Sequence, residues 1–140
     1  MKILIIDDDS TELDLLDGSL DSCPGLQLVR ASGPEAGLAA LRALARSGAV
    51  PMALVDWTLG DTTAEGFIRA VRSDPALRHA IVLIFSSAPG LPVEEAYRSG
   101  ATGFIVKPIG LEETGRLLAS LASLCGALEP PLRSPGGVPS

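Results

Sequence analysis

Aromatic residues are nearly missing from this chain: one Trp, one Tyr and three Phe make up 4% of 140 residues. The core must therefore be built from the aliphatic side chains that dominate its 46% hydrophobic content. Such a balance suits parallel strands covered by Ala- and Leu-rich helices. Clustered basic charge is missing too. Eleven Lys and Arg stand scattered against 17 Asp and Glu, for a net charge of −6, so nucleic-acid binding is not expected. Only two cysteines occur, Cys23 and Cys125, without metal-type spacing. Both read as free thiols of a reducing compartment. No apolar run approaches the roughly 20 residues of a membrane span. The N-terminus runs straight into a strand-like segment without a cleavable signal, so a cytoplasmic location and no membrane contact are expected. The length suits one domain.

What is present alternates strand and helix five times. Residues 2–6 (KILII) read as a buried strand. Asp9 or Ser10 is placed to cap a helix through about Ser22, with Leu13, Leu16 and Leu20 at helical spacing. Residues 26–31 form the second strand. Pro34 opens the second helix, whose apolar face is Ala36, Leu38, Leu41, Leu44 and Ala45. A third strand at 52–55 runs into a polar, glycine-containing loop, followed by a helix from about Ala64 to Ser73 with Phe67, Ile68 and Val71 inward. Residues 80–85 (AIVLIF) are the most continuous apolar run, as expected of a strand buried on both faces. A short fourth helix follows over roughly Val93–Arg98, then a fifth strand over 102–106. The last helix spans about Leu111–Cys125, with Leu117, Leu118, Leu121 and Leu124 toward the sheet. Right-handed crossovers then give an α/β, doubly wound, three-layer (βα)5 fold. Residues 1–126 are assigned to this domain. Residues 127–140, rich in Pro, Gly and Ser, are assigned to a disordered tail or linker.

Chemistry gathers at strand ends. Asp7 and Asp8 follow ILII, Asp56 follows MALV, and Lys107, with Pro108 after it, follows FIV. In a parallel sheet these ends share the edge where open α/β folds bind ligands. Three carboxylates packed together repel unless a cation sits among them, which predicts a hard divalent metal, Mg²⁺. An acidic triplet such as Asp7-Asp8-Asp9 taken alone is equally a solvated helix cap. The triplet gains meaning only with Asp56 and Lys107.

With those residues assembled, residues 1–125 resemble the receiver domain of two-component response regulators. The resemblance rests on ILIIDDD, LVDWTL, a hydroxyl ending the fourth strand, and GATGFIVKP. It implies a flavodoxin-like sheet in order 2-1-3-4-5 and a phospho-accepting switch rather than an enzyme with a released product. Asp56 would be the phospho-acceptor. Asp8, the Asp56 carboxylate and the Thr58 carbonyl would bind Mg²⁺, with Asp7 helping directly or through water. Lys107 would pair with the phosphoryl group, and the Lys107–Pro108 bond would be cis. Ser86, with Ser87 as its rival, would hydrogen-bond the phosphoryl group, and Phe104 would be the switch aromatic. The implied partners are a histidine kinase or histidine phosphotransfer protein upstream, and a protein target or linked effector domain downstream. A homodimer through the face of helix four, strand five and helix five is a further expectation.

Three features depart from that pattern. Gly60 stands where proline is common, Gly66 lies ten rather than eight residues after Asp56, and Pro and Gly crowd 89–92. Two other readings stay open. One is a degenerate receiver acting as a docking module without phosphorylation. The other is a haloacid-dehalogenase-type phosphatase, with Asp7 as nucleophile and Asp9 as general acid in a DxDxT pattern.

Overall fold

A computed structural model describes residues 1–7, 10–20, 23–86 and 93–128, with the side chains of 10–13 and 15 left aside. The apolar runs become five parallel strands: β1 (Lys2–Ile6), β2 (Gln27–Ala31), β3 (Met52–Val55), β6 (Ile81–Ser86) and β7 (Gly103–Val106), in the order β2-β1-β3-β6-β7. With β4 (Thr58–Leu59) and β5 (Thr62–Thr63) forming a separate hairpin, this is the expected doubly wound order. The three central strands are buried on both faces, and the edge strands β2 and β7 are only partly covered. Continuous apolar runs at the centre and mixed ones at the edges follow from that placement.

The helices are α1 (Ser10–Ser19), α2 (Pro34–Arg46), α3 (Glu65–Ser73), α4 (Val93–Ser99) and α5 (Gly110–Ala127). One side of the sheet carries α2, α3 and α4, whose Leu41, Leu44, Phe67, Ile68, Val71 and Ala96 pack on Leu4, Ile6, Ala53, Val55, Val82 and Ile84. The other carries α1 and α5, whose Leu16, Leu118 and Leu121 pack on Ile3, Ile5, Met52, Leu54, Leu83 and Phe85. Alternate strand residues thus feed opposite layers, as the pleat requires. Among the described residues no helix is long and apolar enough to cross a membrane.

Several boundaries and faces differ from expectation. Helix α5 runs two residues past Cys125, the end expected for it. Leu124 is exposed because the buried stripe of α5 is centred on Leu118 and Leu121, leaving Leu124 at its margin. In α2 Gly37 lies close against the sheet, since a Cβ there would stand 2.3 Å from Ile6 Cδ1, while Ala36 is exposed. Cys23 and Cys125 are both free. Cys125 faces Met52 Sδ at 3.7 Å, and burial pushes its thiol pKa up.

The polar loop after Asp56 is instead a miniature hairpin, β4 (Thr58–Leu59) with β5 (Thr62–Thr63). Gly60 opens its two-residue turn at φ 65°, a value closed to proline. The Gly60 departure therefore has a physical reason.

Arg72, at the end of α3, binds three chain segments together. Its guanidinium donates to the Gly100 carbonyl at 2.7 Å, to the Arg78 and Ala80 carbonyls at 3.1 and 2.9 Å, and to Thr102 Oγ1 at 3.1 Å. Desolvation draws its pKa below the ordinary arginine value.

Candidate functional site

Strand register assembles the site. Ile5 pairs with Leu54, and Leu54 with Leu83. Two residues further on, the same register sets Asp7, Asp56 and Phe85 side by side at the C-terminal edge. By alternation all three emerge on the α1/α5 side, with Ile3, Ile5, Leu54 and Leu83. Lys107 follows β7, two residues beyond Ile105, the partner of Phe85. Its side chain crosses β6, passes over the Phe85 ring with Nζ 5.5 Å from the centroid, and reaches the carboxylates. Lys107 Nζ donates to Asp56 Oδ2 at 3.0 Å and to Asp7 Oδ2 at 3.3 Å.

These groups are shielded: side-chain exposure is 1% for Asp7, 14% for Asp56 and 9% for Lys107. Among the described residues, one ammonium faces two carboxylates in this poorly hydrated place. Buried carboxylates gathered in one place favour a cation among them. Asp8 lies outside the described residues, and among those described no group of three His, Cys, Asp or Glu side chains is clustered as for a metal.

The hairpin adds a third donor. The Ala64 amide donates to the Trp57 carbonyl at 2.7 Å, closing the ladder below the Thr58–Thr63 pair. Antiparallel ladders alternate bonded and non-bonded pairs, so Thr58 is a non-bonded position with its N–H and C=O directed away from β5. Its amide accordingly donates to Asp56 Oδ1 at 3.2 Å. Leu59, only 6% exposed, anchors the hairpin in the core beside Trp57. Two carboxylates and an outward carbonyl fit a hard cation that keeps several waters.

Ser86 ends β6, is buried, and accepts the Lys107 amide on its carbonyl at 2.9 Å. It points to the α3/α4 side, with Val82 and Ile84. Phe104, partnered with Ile84 on β7, packs into that same layer. Ser86 and Phe104 thus share one face on adjacent strands. Ser87, like Asp9, lies outside the described residues. The Lys107–Pro108 bond is trans, correcting the cis bond that the resemblance implied. The trans isomer carries the intrinsic preference, about 0.5–1 kcal/mol, and Lys107 reaches both carboxylates from it.

Sequence reasoning missed two members of this edge. The hairpin had a signal, Gly60-Asp61 between Thr- and Leu-containing pairs. Phe85 had none, since a Phe inside an apolar run reads as ordinary core.

The architecture is that of response regulator receivers. Solved structures with the same fold include response regulator RPA3017 in red light signalling of R. palustris, with a TM-score of 0.78 at 20% identity, covering 94% of this chain and 99% of that one. Another is the Mn²⁺-bound form of response regulator Rcp1, with a TM-score of 0.71 at 16% identity, covering 93% and 98%. Curated proteins give the narrower relationship. The chain is 32% identical over 109 residues to the chemotaxis protein CheY of Pseudomonas aeruginosa, covering 77% of this chain and 85% of that one. It is 30% identical over 109 residues to chemotaxis protein CheY-3 of Vibrio cholerae, covering 77% and 81%. No protein-family model matches. The chain belongs to the CheY-like receiver family of two-component response regulators. Receivers of this family are signalling switches rather than classical enzymes, with kinase or phosphotransfer partners in general.

Proposed function

We propose that Asp56 accepts a phosphoryl group from the phosphohistidine of a histidine kinase or histidine phosphotransfer protein, in a Mg²⁺-dependent reaction. The observation that carries this reading is the shared ammonium: Lys107 binds Asp56 and Asp7 together at the sheet edge. An Asp56 carboxylate oxygen attacks phosphorus, and the P–N bond to the donor imidazole breaks. The electron pair stays on the imidazole nitrogen, which takes up a proton. A bound Mg²⁺ supplies the positive charge that lets an anionic nucleophile meet an anionic donor. Asp8, Asp56 and the Thr58 carbonyl would hold it, with Asp7 directly or through water.

Lys107 then moves from carboxylate to phosphoryl oxygen, and Ser86 hydrogen-bonds a second oxygen. Phe104, on the same face as Ser86, turns inward as Ser86 moves. The added charge thereby biases the surface of α4, β7 and α5 toward its target. That same surface is the expected homodimer face. A cytoplasmic location belongs to the same reading, as does a receiver of residues 1–126 followed by a tail or linker.

The test is acetyl phosphate labelling with Mg²⁺, read by intact mass. Wild type gains one phosphoryl group, and Asp56→Asn gains none. An unlabelled wild type leaves the docking-module reading in its place.

A further inference from the structure

We infer that Phe85 is a positioning residue for Lys107: its ring is the floor on which the ammonium is held against Asp56 and Asp7. The inference rests on the proposed role of Asp56. Lys107 and Asp56 follow strands separated by β6, so the lysine side chain has to cross β6 to make its contact. It crosses at Phe85, with Nζ 5.5 Å from the ring centroid. The face of an aromatic ring carries the negative part of its quadrupole and attracts a cation within about 6 Å. Phe85 is 4% exposed and the Lys107 side chain 9%, so the contact is shielded from water, where such attraction is strongest.

Composition sharpens the point. The layer between the sheet and α1/α5 is otherwise aliphatic or sulfur-containing, and Phe85 is the one aromatic in it among the described residues. The sole aromatic of that layer stands under the lysine of the site. An aliphatic residue there would fill the space without attracting charge. The ring keeps Lys107 at the place where a phosphoryl oxygen on Asp56 is to appear, so the charge is arranged before the reaction.

Lys2 and Lys107 are the only lysines in the chain, which gives a direct measurement. Limited acetylation by acetic anhydride, followed by peptide mass analysis, reads Lys107 reactivity with exposed Lys2 as the internal reference. In Phe85→Leu the Lys107/Lys2 ratio should rise about fivefold or more, and the initial rate of Asp56 labelling by acetyl phosphate should fall about tenfold. Phe85→Tyr, which keeps the ring, should return both to within about twofold of wild type. Phe85→Met replaces the leucine variant if circular dichroism shows the latter unfolded. An unchanged ratio in Phe85→Leu overturns the inference, as does Phe85→Tyr behaving like Phe85→Leu. Cys23, buried in the same layer, controls for loosening: a thiol that becomes reactive in step with Lys107 also overturns it. If wild type takes no phosphoryl group, the reading of Asp56 fails by itself, and the acetylation ratio still decides the part played by the ring.

Discussion

Lys107 and Asp56 meet across a strand to which neither belongs, Nζ to Oδ2 at 3.0 Å with β6 between them. The same ammonium also neutralises Asp7. Lys107 thus gives the two carboxylates one shared cation, with which the proposed Mg²⁺ would compete.

Removing that cation separates its two effects. In Lys107→Ala, without divalent ions at neutral pH, unfolding should come at lower denaturant, with a loss of about 3 kcal/mol from two shielded carboxylates left facing each other. Mg²⁺ binding, followed by the fluorescence of buried Trp57 beside Asp56, should tighten rather than weaken. Asp8→Ala should abolish the Mg²⁺ response. Weaker Mg²⁺ binding by Lys107→Ala would contradict competition between ammonium and metal.

The hairpin makes Gly60 sensitive for conformational reasons alone. A Cβ there meets nothing within 4 Å, but φ is 65°. Gly60→Ala should cost about 1 kcal/mol, the penalty of a left-handed backbone for an L-residue. Gly60→Asn should cost less. Because the hairpin directs the Thr58 carbonyl, Mg²⁺ affinity should fall together with stability. Full affinity in a destabilised Gly60→Ala would detach Thr58 from the metal.

Gly37 is sensitive for the opposite reason. Its Cβ would press on Ile6 Cδ1 at 2.3 Å and Phe67 Cε1 at 3.3 Å. Gly37→Ala should lose about 1–3 kcal/mol by overpacking, in spite of the better helix propensity of alanine. Ile6→Val removes the offending methyl group. The double variant should therefore be more stable than the sum of the single effects, as thermal or urea unfolding of all four proteins will show.

Acid sensitivity should localise in part to Asp74. Its carboxylate accepts from Arg42 Nε at 2.9 Å and from the Ala76 amide at 2.9 Å. The Arg42 hydrogen bond first, then the amide, hold its pKa below the ordinary aspartate value. A depressed carboxylate stabilises the fold above its unfolded pKa and ceases to do so as pH falls through its folded value. Arg42→Met should therefore flatten the stability profile below about pH 4 while leaving its neutral-to-alkaline slope unchanged. An identical acid limb in both proteins would exclude this pair as a contributor.

The parts of this fold legible in the sequence were those whose physics is repeated over many residues. A run such as IVLIF, short and rich in β-branched residues, reads as a strand buried on both faces, and Phe67, Ile68 and Val71 recur on one helical face with all three buried. Asp7, Asp56 and Lys107 were legible because each ends such a run, and parallel pairing then dictates one shared edge. The two-residue strands β4 and β5 carry no periodicity, so their only mark was Gly60-Asp61. The inward limit of α5 was misjudged at Leu124 because helical spacing does not say where the sheet beneath a helix stops. Phe85 showed nothing until the path of Lys107 across β6 was known.

Arg72 sets a boundary condition on any signal that leaves the site. By gripping Gly100 and Thr102 from α3, it moors the trailing end of α4 and the root of β7 to the rigid body of the protein. In the proposed switch this mooring would act as the fixed point, so that a rearrangement of α4 would lie toward its Val93 end.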